Sequence, residues 1–466
     1  MAQQKGNQAG ALKLIIAALI ALAGVAVVAL NWPGHLSYDS VVQLHDGRTG
    51  LYHTWHPPIM AWLLGFGDHF LAGAGLFIVL QTALLFASLV LIVLGARRLS
   101  WWIVPVCLCL IAVPQVLIWQ GIVWKDVLFA DSMVAGFVLL WRATRLEQAI
   151  PFWAVTACAF ACLVVATLVR QNGFLALVVG AGALVQALYA RSDASPRHRL
   201  FKAFAVSACV VLASLACVAG VGAALSRRSI DGNGARAQLN MLMTYDVVGV
   251  IARDPKVELD QLEPDTASRF RSAAKTDYTP RGNEPLLGNS FDRDSADDAD
   301  DIKDQWFDFL RLHPLTWLGH RLSVFRWVIS APAGVCFSEQ TGVDGPEAVL
   351  NALKMQPRQT PRDAVLEDYA SRFHKTPLHS HLFLGGVAVL LAVVMFRSPE
   401  RGNAVFSYML VAALLFTASF FLIGVSCDYR YLYALDLATL VAGFHWLLDF
   451  EPQRRSVAGL DRTGAR

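Results

Sequence analysis

Charge is what this chain has least of. Only 16% of its 466 residues are Asp, Glu, Lys or Arg, whereas 55% are hydrophobic. Soluble proteins carry about 25% charged residues, so an ordinary soluble domain is excluded and a polytopic membrane protein is expected. A strong excess of either sign is also missing: the formal net charge is +3, too small to point to nucleic acid. The eight cysteines form no CxxC pair and no Cys/His zinc spacing. There is no internal repeat and no low-complexity tract. No clear small-residue cleavage site follows the first apolar stretch, 11–30, so this stretch is expected to stay as a signal anchor.

What is present is apolar length. Ten segments are apolar enough to span a bilayer: 11–30, 75–95, 101–118, 127–141, 151–168, 173–190, 203–225, 381–396, 404–423 and 431–448. The expected fold class is therefore an all-α polytopic membrane protein with about ten transmembrane helices. Lys and Arg in short loops favour the cytoplasm. With the N-terminus inside, 16 of the 39 basic residues are cytoplasmic, among them Lys5, Arg98, Arg401, Arg454, Arg455, Arg462 and Arg466. The short outer pieces carry only Arg48, Lys125, Arg170 and Arg430. This threading predicts both termini in the cytoplasm of a multi-pass plasma membrane, the bacterial inner membrane. Residues 1–225 would hold spans one to seven and a first outer loop, 31–74. Residues 226–380 would form an extracytoplasmic domain, residues 381–450 spans eight to ten, and residues 451–466 a cytoplasmic tail.

The outer domain holds 23 acids and 19 bases. Its run from Asn283 to Asp304, with Asp292, Asp294, Asp297, Asp298, Asp300, Asp301 and Asp304, lacks the Gly and closing Glu of an EF-hand. A solvated loop is expected there, with adventitious divalent binding as the alternative. From Trp306 to Ile329 aromatic and basic residues alternate. This suits either a helix lying in the headgroup layer or a helix packed under the domain. Six cysteines sit in apolar segments, where they act as small hydrophobes. Cys336 and Cys427 fall in outer segments, and an oxidising compartment would permit a disulfide between them. Two acids, Asp131 and Asp436, remain inside spans. They serve either function or a helix-to-helix hydrogen bond. His379 and His381 lack the i, i+4 spacing of a helical metal pair, so no metal site is expected.

The residues able to do polar chemistry gather at outer ends of apolar segments. Pro33-Gly34 closes the first span, and Ser37 to Leu44 fits a short surface helix carrying Asp39. A carboxylate just beyond the bilayer edge can take a proton from a hydroxyl; a helix-capping or solvated Asp is the plainer alternative. Trp55-His56-Pro57-Pro58 then opens a segment from Ile59 to Phe70. Proline suits a first helical turn and forces the preceding residue to extend. His56 is thereby held in an elbow at the surface, either as a functional group or as an incidental part of a rigid turn.

An Asp soon after the first span, here in Tyr38-Asp39-Ser40, followed by His56-Pro57-Pro58 and a short amphipathic helix, resembles the GT-C glycosyltransferases. The closest likeness is to the dolichyl-phosphate-mannose-protein mannosyltransferase and aminoarabinose transferase type. The motifs cover about 40 residues. Two positions depart from the pattern. Ser40 stands where many relatives have a second acid, which argues against a two-carboxylate or metal-dependent mechanism. His56 stands where they have Lys, which leaves the role of the pre-proline residue open.

The resemblance implies a membrane enzyme that moves a sugar from a polyprenyl-phosphate donor to a cell-envelope acceptor on the outer face, with inversion. Asp39 would be the base, and His56 a second catalytic residue. The leaving group is a lipid phosphate, which cations at headgroup level would hold and stabilise. Lys125, Arg170 and Arg430 are the basic residues of the last three short outer loops. Trp55, Tyr38, Asp126, Asn172, Asp428 and Tyr431 are the expected substrate-binding neighbours. Snorkelling cations and belt tyrosines are the plainer alternatives. No cofactor is implied, and a divalent metal is left open. The expected partners are the donor lipid, a glycolipid, polysaccharide or protein acceptor, and the bilayer. Two rival functions are a lipid-linked saccharide transporter or flippase, which needs a polar path through the spans, and an O-antigen polymerase or ligase.

Overall fold

The computed structural model describes residues 2–97, 99–192, 195–231, 234–291, 299–398, 400 and 402–449, with backbone alone for 2–9 and 449. The Lys5 side chain, Arg98, Arg401, Asp292, Asp294, Asp297, Asp298 and the tail 451–466 with its four arginines lie outside the described residues. All regular elements among the described residues are helical, and the β pairings are isolated bridges between loops.

The chain opens with α1 (Ala2–Asn31). Two short helices follow, α2 (Tyr38–Thr49) and α3 (Ile59–Phe70), before α4 (Gly75–Gly95). The surface helix expected at Ser37 to Leu44 therefore runs on to Thr49, where Gly50 closes it with φ +70°. α3 leaves Trp62, Phe66 and Phe70 exposed along one face, Trp62 stacked on Phe66 with centroids 5.7 Å apart and Phe66 edge-on to Phe70 at 5.2 Å. The segment expected at 101–118 is broken. α5 (Ile103–Ala112) and α6 (Pro114–Leu117) meet at Val113, and the stretch 103–121 bends by 73° there. Pro114 lacks the N–H that would continue the first helix, and its ring clashes with the preceding turn.

α7 (Lys125–Ala143) is almost wholly buried and packs against α4. α8 (Ala149–Val169) and α9 (Phe174–Arg191) pack around α7, and the long α10 (Pro196–Ser226) lies outside them with most of its apolar surface exposed. The long segment after it forms α11 (Gly234–Arg253), α12 (Pro264–Thr276), α13 (Glu284–Asn289), α14 (Ala299–Leu312), α15 (Pro314–Ser330), α16 (Glu347–Ala352) and α17 (Pro361–Ser371). The chain returns through α18 (His381–Phe396), α19 (Asn403–Ile423) and α20 (Tyr433–Asp449).

Among the described residues seven helical stretches are long and apolar enough to cross a membrane, or eight if the broken pair counts as one. The chain is thus read as a multi-pass membrane protein. This count is lower than the expected ten for two physical reasons. α7 carries Lys125, Asp126, Asp131 and Arg142. α18 has 16 residues, roughly 24 Å of helix against a hydrocarbon core of about 30 Å.

Both in-span acids are hydrogen-bonded between elements. Asp131 accepts from Gln120 Nε2 at 3.0 Å. Asp436 is bonded to His381 Nδ1 at 2.9 Å and accepts from the Tyr429 hydroxyl at 2.6 Å. The aromatic-basic stretch from Trp306 breaks at His313-Pro314, and one face of it packs onto Asp246. On the inner face, Trp306 and Trp317 donate to Asp246 Oδ2 at 2.7 and 2.9 Å, and His320 Nε2 lies 3.0 Å from Oδ1. Arg321 pairs with the same carboxylate and donates to the Gly424 carbonyl at 2.7 Å. On the outer face Leu315, Leu318 and Leu322 are exposed. Cys336 and Cys427 are joined by a disulfide, with Cα atoms 5.3 Å apart.

Candidate active site

The turn after α1 sets the first part of the site. Ser37 caps α2, its backbone N–H donating to Ser40 Oγ at 3.4 Å. Ser40 Oγ donates in turn to the Val123 carbonyl at 2.5 Å, and Trp124 Nε1 donates to Ser37 Oγ at 2.9 Å. These bonds fasten the first turn of α2 to the strand-like residues before α7. Asp39 is thereby carried beside Lys125, and its negative charge also suits the N-terminal dipole of α2. Ser40, buried and bonded to the backbone, is a structural residue here.

α2 and α3 cross at two glycines. A Cβ on Gly47 would sit 2.2 Å from the Ala61 carbonyl oxygen, and one on Gly65 would sit 2.1 Å from that of Gly47. The backbones therefore touch, and this contact fixes the distance between Asp39 and the elbow before α3. The elbow is clamped from both sides. His53 N donates to Asp46 Oδ2 at 3.0 Å, and Thr54 N donates to Asp231 at 2.8 Å. Pro58 then starts α3 at Ile59.

The distant segments meet here. Lys125 Nζ lies 2.7 Å from His56 Nδ1, and His56 Nε2 lies 3.5 Å from Asp39 Oδ1. Arg430 Nη1 donates to Asp39 Oδ2 at 2.9 Å, across 391 residues of sequence. Arg430 Nε also pairs with Asp428 Oδ2 at 2.7 Å. Arg170 pairs with Asp126 and lies 5.5 Å from the centroid of the Tyr431 ring. Lys125 differs from the two arginines: no described carboxylate lies within ion-pair distance of it, and burial, then the Arg170 charge, lowers its ammonium well below the usual lysine range.

The electrostatics follow from these contacts. Burial alone would raise the Asp39 carboxyl. The hydrogen bond from His56 and the charges of Arg430 and Lys125 outweigh it and hold the group well below the usual carboxylate range. Burial, then the Lys125 charge, lowers His56 from 6.5 to about 4 against the opposing pull of Asp39. His56 is thus neutral near pH 7. With Lys125 donating to Nδ1, its proton sits on Nε2 and faces Asp39. Burial pushes the Asp428 carboxyl upward.

A cavity of about 410 Å³ opens over this cluster. Asp39, Trp55, His56, Lys125, Arg170, Asn172, Arg430 and Tyr431 all line it. Asp126 and Asp428 stand behind, paired with the arginines. Tyr38 is 60% exposed and is absent from the lining. Asn172 Nδ2 donates to Ser419 Oγ at 2.8 Å. The far wall comes from the long segment, with Gln238, Asn283 and Glu284, and from Ser426 in the loop after α19. These residues do not stand out in the sequence, because they lie in polar chain with no apolar run to mark them. Among the described residues no group of three or more His, Cys, Asp or Glu is placed to hold a metal ion.

The arrangement provides an ionised carboxylate, a neutral imidazole with an oriented N–H, two arginines and a buried lysine at the end of apolar helices. Compared with protein-family models, curated proteins and solved structures, the chain matches none.

Proposed function

We propose that this protein is a membrane glycosyltransferase of GT-C-like architecture. It transfers a sugar from a polyprenyl-phosphate donor to a cell-envelope acceptor. The observation that carries this reading is the chain of contacts Lys125–His56–Asp39–Arg430 over a cavity at the ends of apolar helices. A lipid phosphate needs both parts, since its tail requires hydrocarbon surroundings and its head requires cations. In this reading ten helices span the membrane, α7 and α18 included, and the cavity faces the extracytoplasmic side. The Cys336–Cys427 disulfide supports that side, because disulfides persist in oxidising compartments.

The acceptor hydroxyl oxygen attacks the anomeric carbon. The bond from that carbon to the phosphate oxygen breaks, and its electron pair leaves with the phosphate. Asp39 takes the hydroxyl proton. A carboxylate held so low is a weak base, which suits a hydroxyl that becomes acidic only as its new bond to carbon forms. Attack from the face opposite the phosphate inverts the anomeric centre. Lys125, lacking an acid partner, meets the phosphate first, while Arg170 and Arg430 contribute donors not taken by Asp126, Asp39 and Asp428.

The reading is tested by incubating purified protein in detergent with radiolabelled polyprenyl-phosphate sugars, with and without a cell-envelope extract. Sugar release by wild type, strongly reduced in Arg170→Ala and Lys125→Ala, is the expected result. No release of any sugar, with or without extract, would contradict it.

A further inference from the structure

The cavity has a second polar pole that the transfer chemistry leaves unused. Asn283 is 5% exposed, and its side-chain nitrogen has no hydrogen-bond partner within the protein. Burying an amide donor unpaired costs about 1–3 kcal/mol, so an orphan donor in a cavity wall points to a ligand acceptor. Glu284 follows it and lines the same cavity, its Oε1 accepting from Ser426 Oγ at 2.5 Å. The backbone around them is pinned. Asn283 N donates to the Val425 carbonyl at 2.9 Å, and Cys427 N donates to the Arg281 carbonyl at 2.8 Å. Residues 281–283 thus run beside 425–427, and the chain continues from there through Asp428 to Arg430. One short extended segment therefore ties this pole to a cation of the other.

The two poles select different chemistry. The cationic pole suits a phosphate. Glu284 repels a phosphate, yet with the Asn283 amide it offers one acceptor group and one donor group side by side. A hydroxyl both donates and accepts, so this pair suits adjacent hydroxyls of a neutral polyol. In a sugar phosphate the polyol is bonded directly to the phosphate. We propose that Asn283 and Glu284 form the subsite that reads the hydroxyls of the sugar carried by the donor lipid. This rests on the transferase reading above and adds to it which residues recognise the sugar.

The test compares binding of bare polyprenyl phosphate and of a panel of polyprenyl-phosphate hexoses and pentoses to the full-length protein in detergent. Wild type is set against Asn283→Asp, Glu284→Gln and Lys125→Ala. Asn283→Asp keeps the side-chain shape and removes the donor. Equal thermal unfolding of all variants confirms that each is folded. Wild type should bind at least one sugar lipid about tenfold or more tighter than the bare lipid. Asn283→Asp and Glu284→Gln should each lose most of that preference, while bare-lipid binding should shift only with the charge change, weaker in Asn283→Asp and tighter in Glu284→Gln. Lys125→Ala should weaken both ligands together. Absence of a preference for any sugar in wild type overturns the subsite, and so does a preference kept in both wall variants. Failure of wild type to bind the bare lipid overturns the transferase reading itself, and the subsite with it.

Discussion

Two clusters in this molecule are built from the same side chains and differ in one respect. Asp246, His320 and Arg321 are sealed, with side chains 0–1% exposed. Each Asp246 oxygen is bonded to an indole, imidazole or guanidinium group. Asp39, His56 and Arg430 repeat the types, yet their side chains are 29, 19 and 17% exposed and face a cavity. In both, burial works against the charge of the carboxylate, and a hydrogen bond from an imidazole together with a nearby arginine restores it. A sealed cluster positions helices; an open one keeps donors and an acceptor for something that enters. The two are also linked, because Arg321 holds the Gly424 carbonyl six residues before Arg430.

The sharpest way to break the comparison is to remove the sealed carboxylate. Asp246→Ala leaves His320 and Arg321 buried without their partner and should cost about 3–5 kcal/mol, read as a fall in thermal unfolding temperature. The link between the clusters is next. Reducing Cys336–Cys427, or replacing both cysteines by Ser, should cost about 2–4 kcal/mol of stability and loosen the segment that bears Arg430, seen as faster hydrogen exchange at 424–430. In the open cluster, Lys125→Ala should weaken binding of polyprenyl phosphate by an amount equivalent to about 1.5–3 kcal/mol. Arg170→Ala should weaken it less, because Asp126 already engages that arginine.

A further effect concerns pH. His56 is lowered in the folded protein to about 4 from 6.5. Between these values the unfolded chain binds a proton that the native protein refuses. The contribution of His56 is therefore present above pH 6.5 and is lost as pH falls toward 4. His56→Gln should flatten that part of the stability profile measured by thermal unfolding from pH 4 to 7. The sealed His320, also lowered by burial, should keep its own share of the acid loss.

Much of the fold was legible because apolar runs have ends. The expected segments 75–95 and 381–396 coincide with α4 and α18. The segment 203–225 fell short of α10 because that helix starts at Pro196 in a polar turn, before its apolar run. The residues of the candidate site were marked in the same way, each charge standing at the edge of an apolar segment. Their pairings were not legible. That Arg430 meets Asp39 depends on the tie between 281–283 and 425–427 and on the fastening of α2 to Val123, both of which are contacts between distant backbones. Tyr38 lies outside the cavity lining that includes its neighbour Asp39, because successive residues on a helix point to different sides. Asn283 and Glu284 stayed invisible since polar residues at the start of a short helix carry no periodic signal.

The most direct test is the consumption of a labelled polyprenyl-phosphate sugar by Asp39→Asn, with binding of the bare lipid and thermal unfolding measured on the same preparation. The expected result is turnover lowered by about 10²–10⁴-fold, with lipid binding and stability close to wild type. Turnover at the wild-type rate would contradict the assignment of Asp39 as the base and with it the central role given to the open cluster.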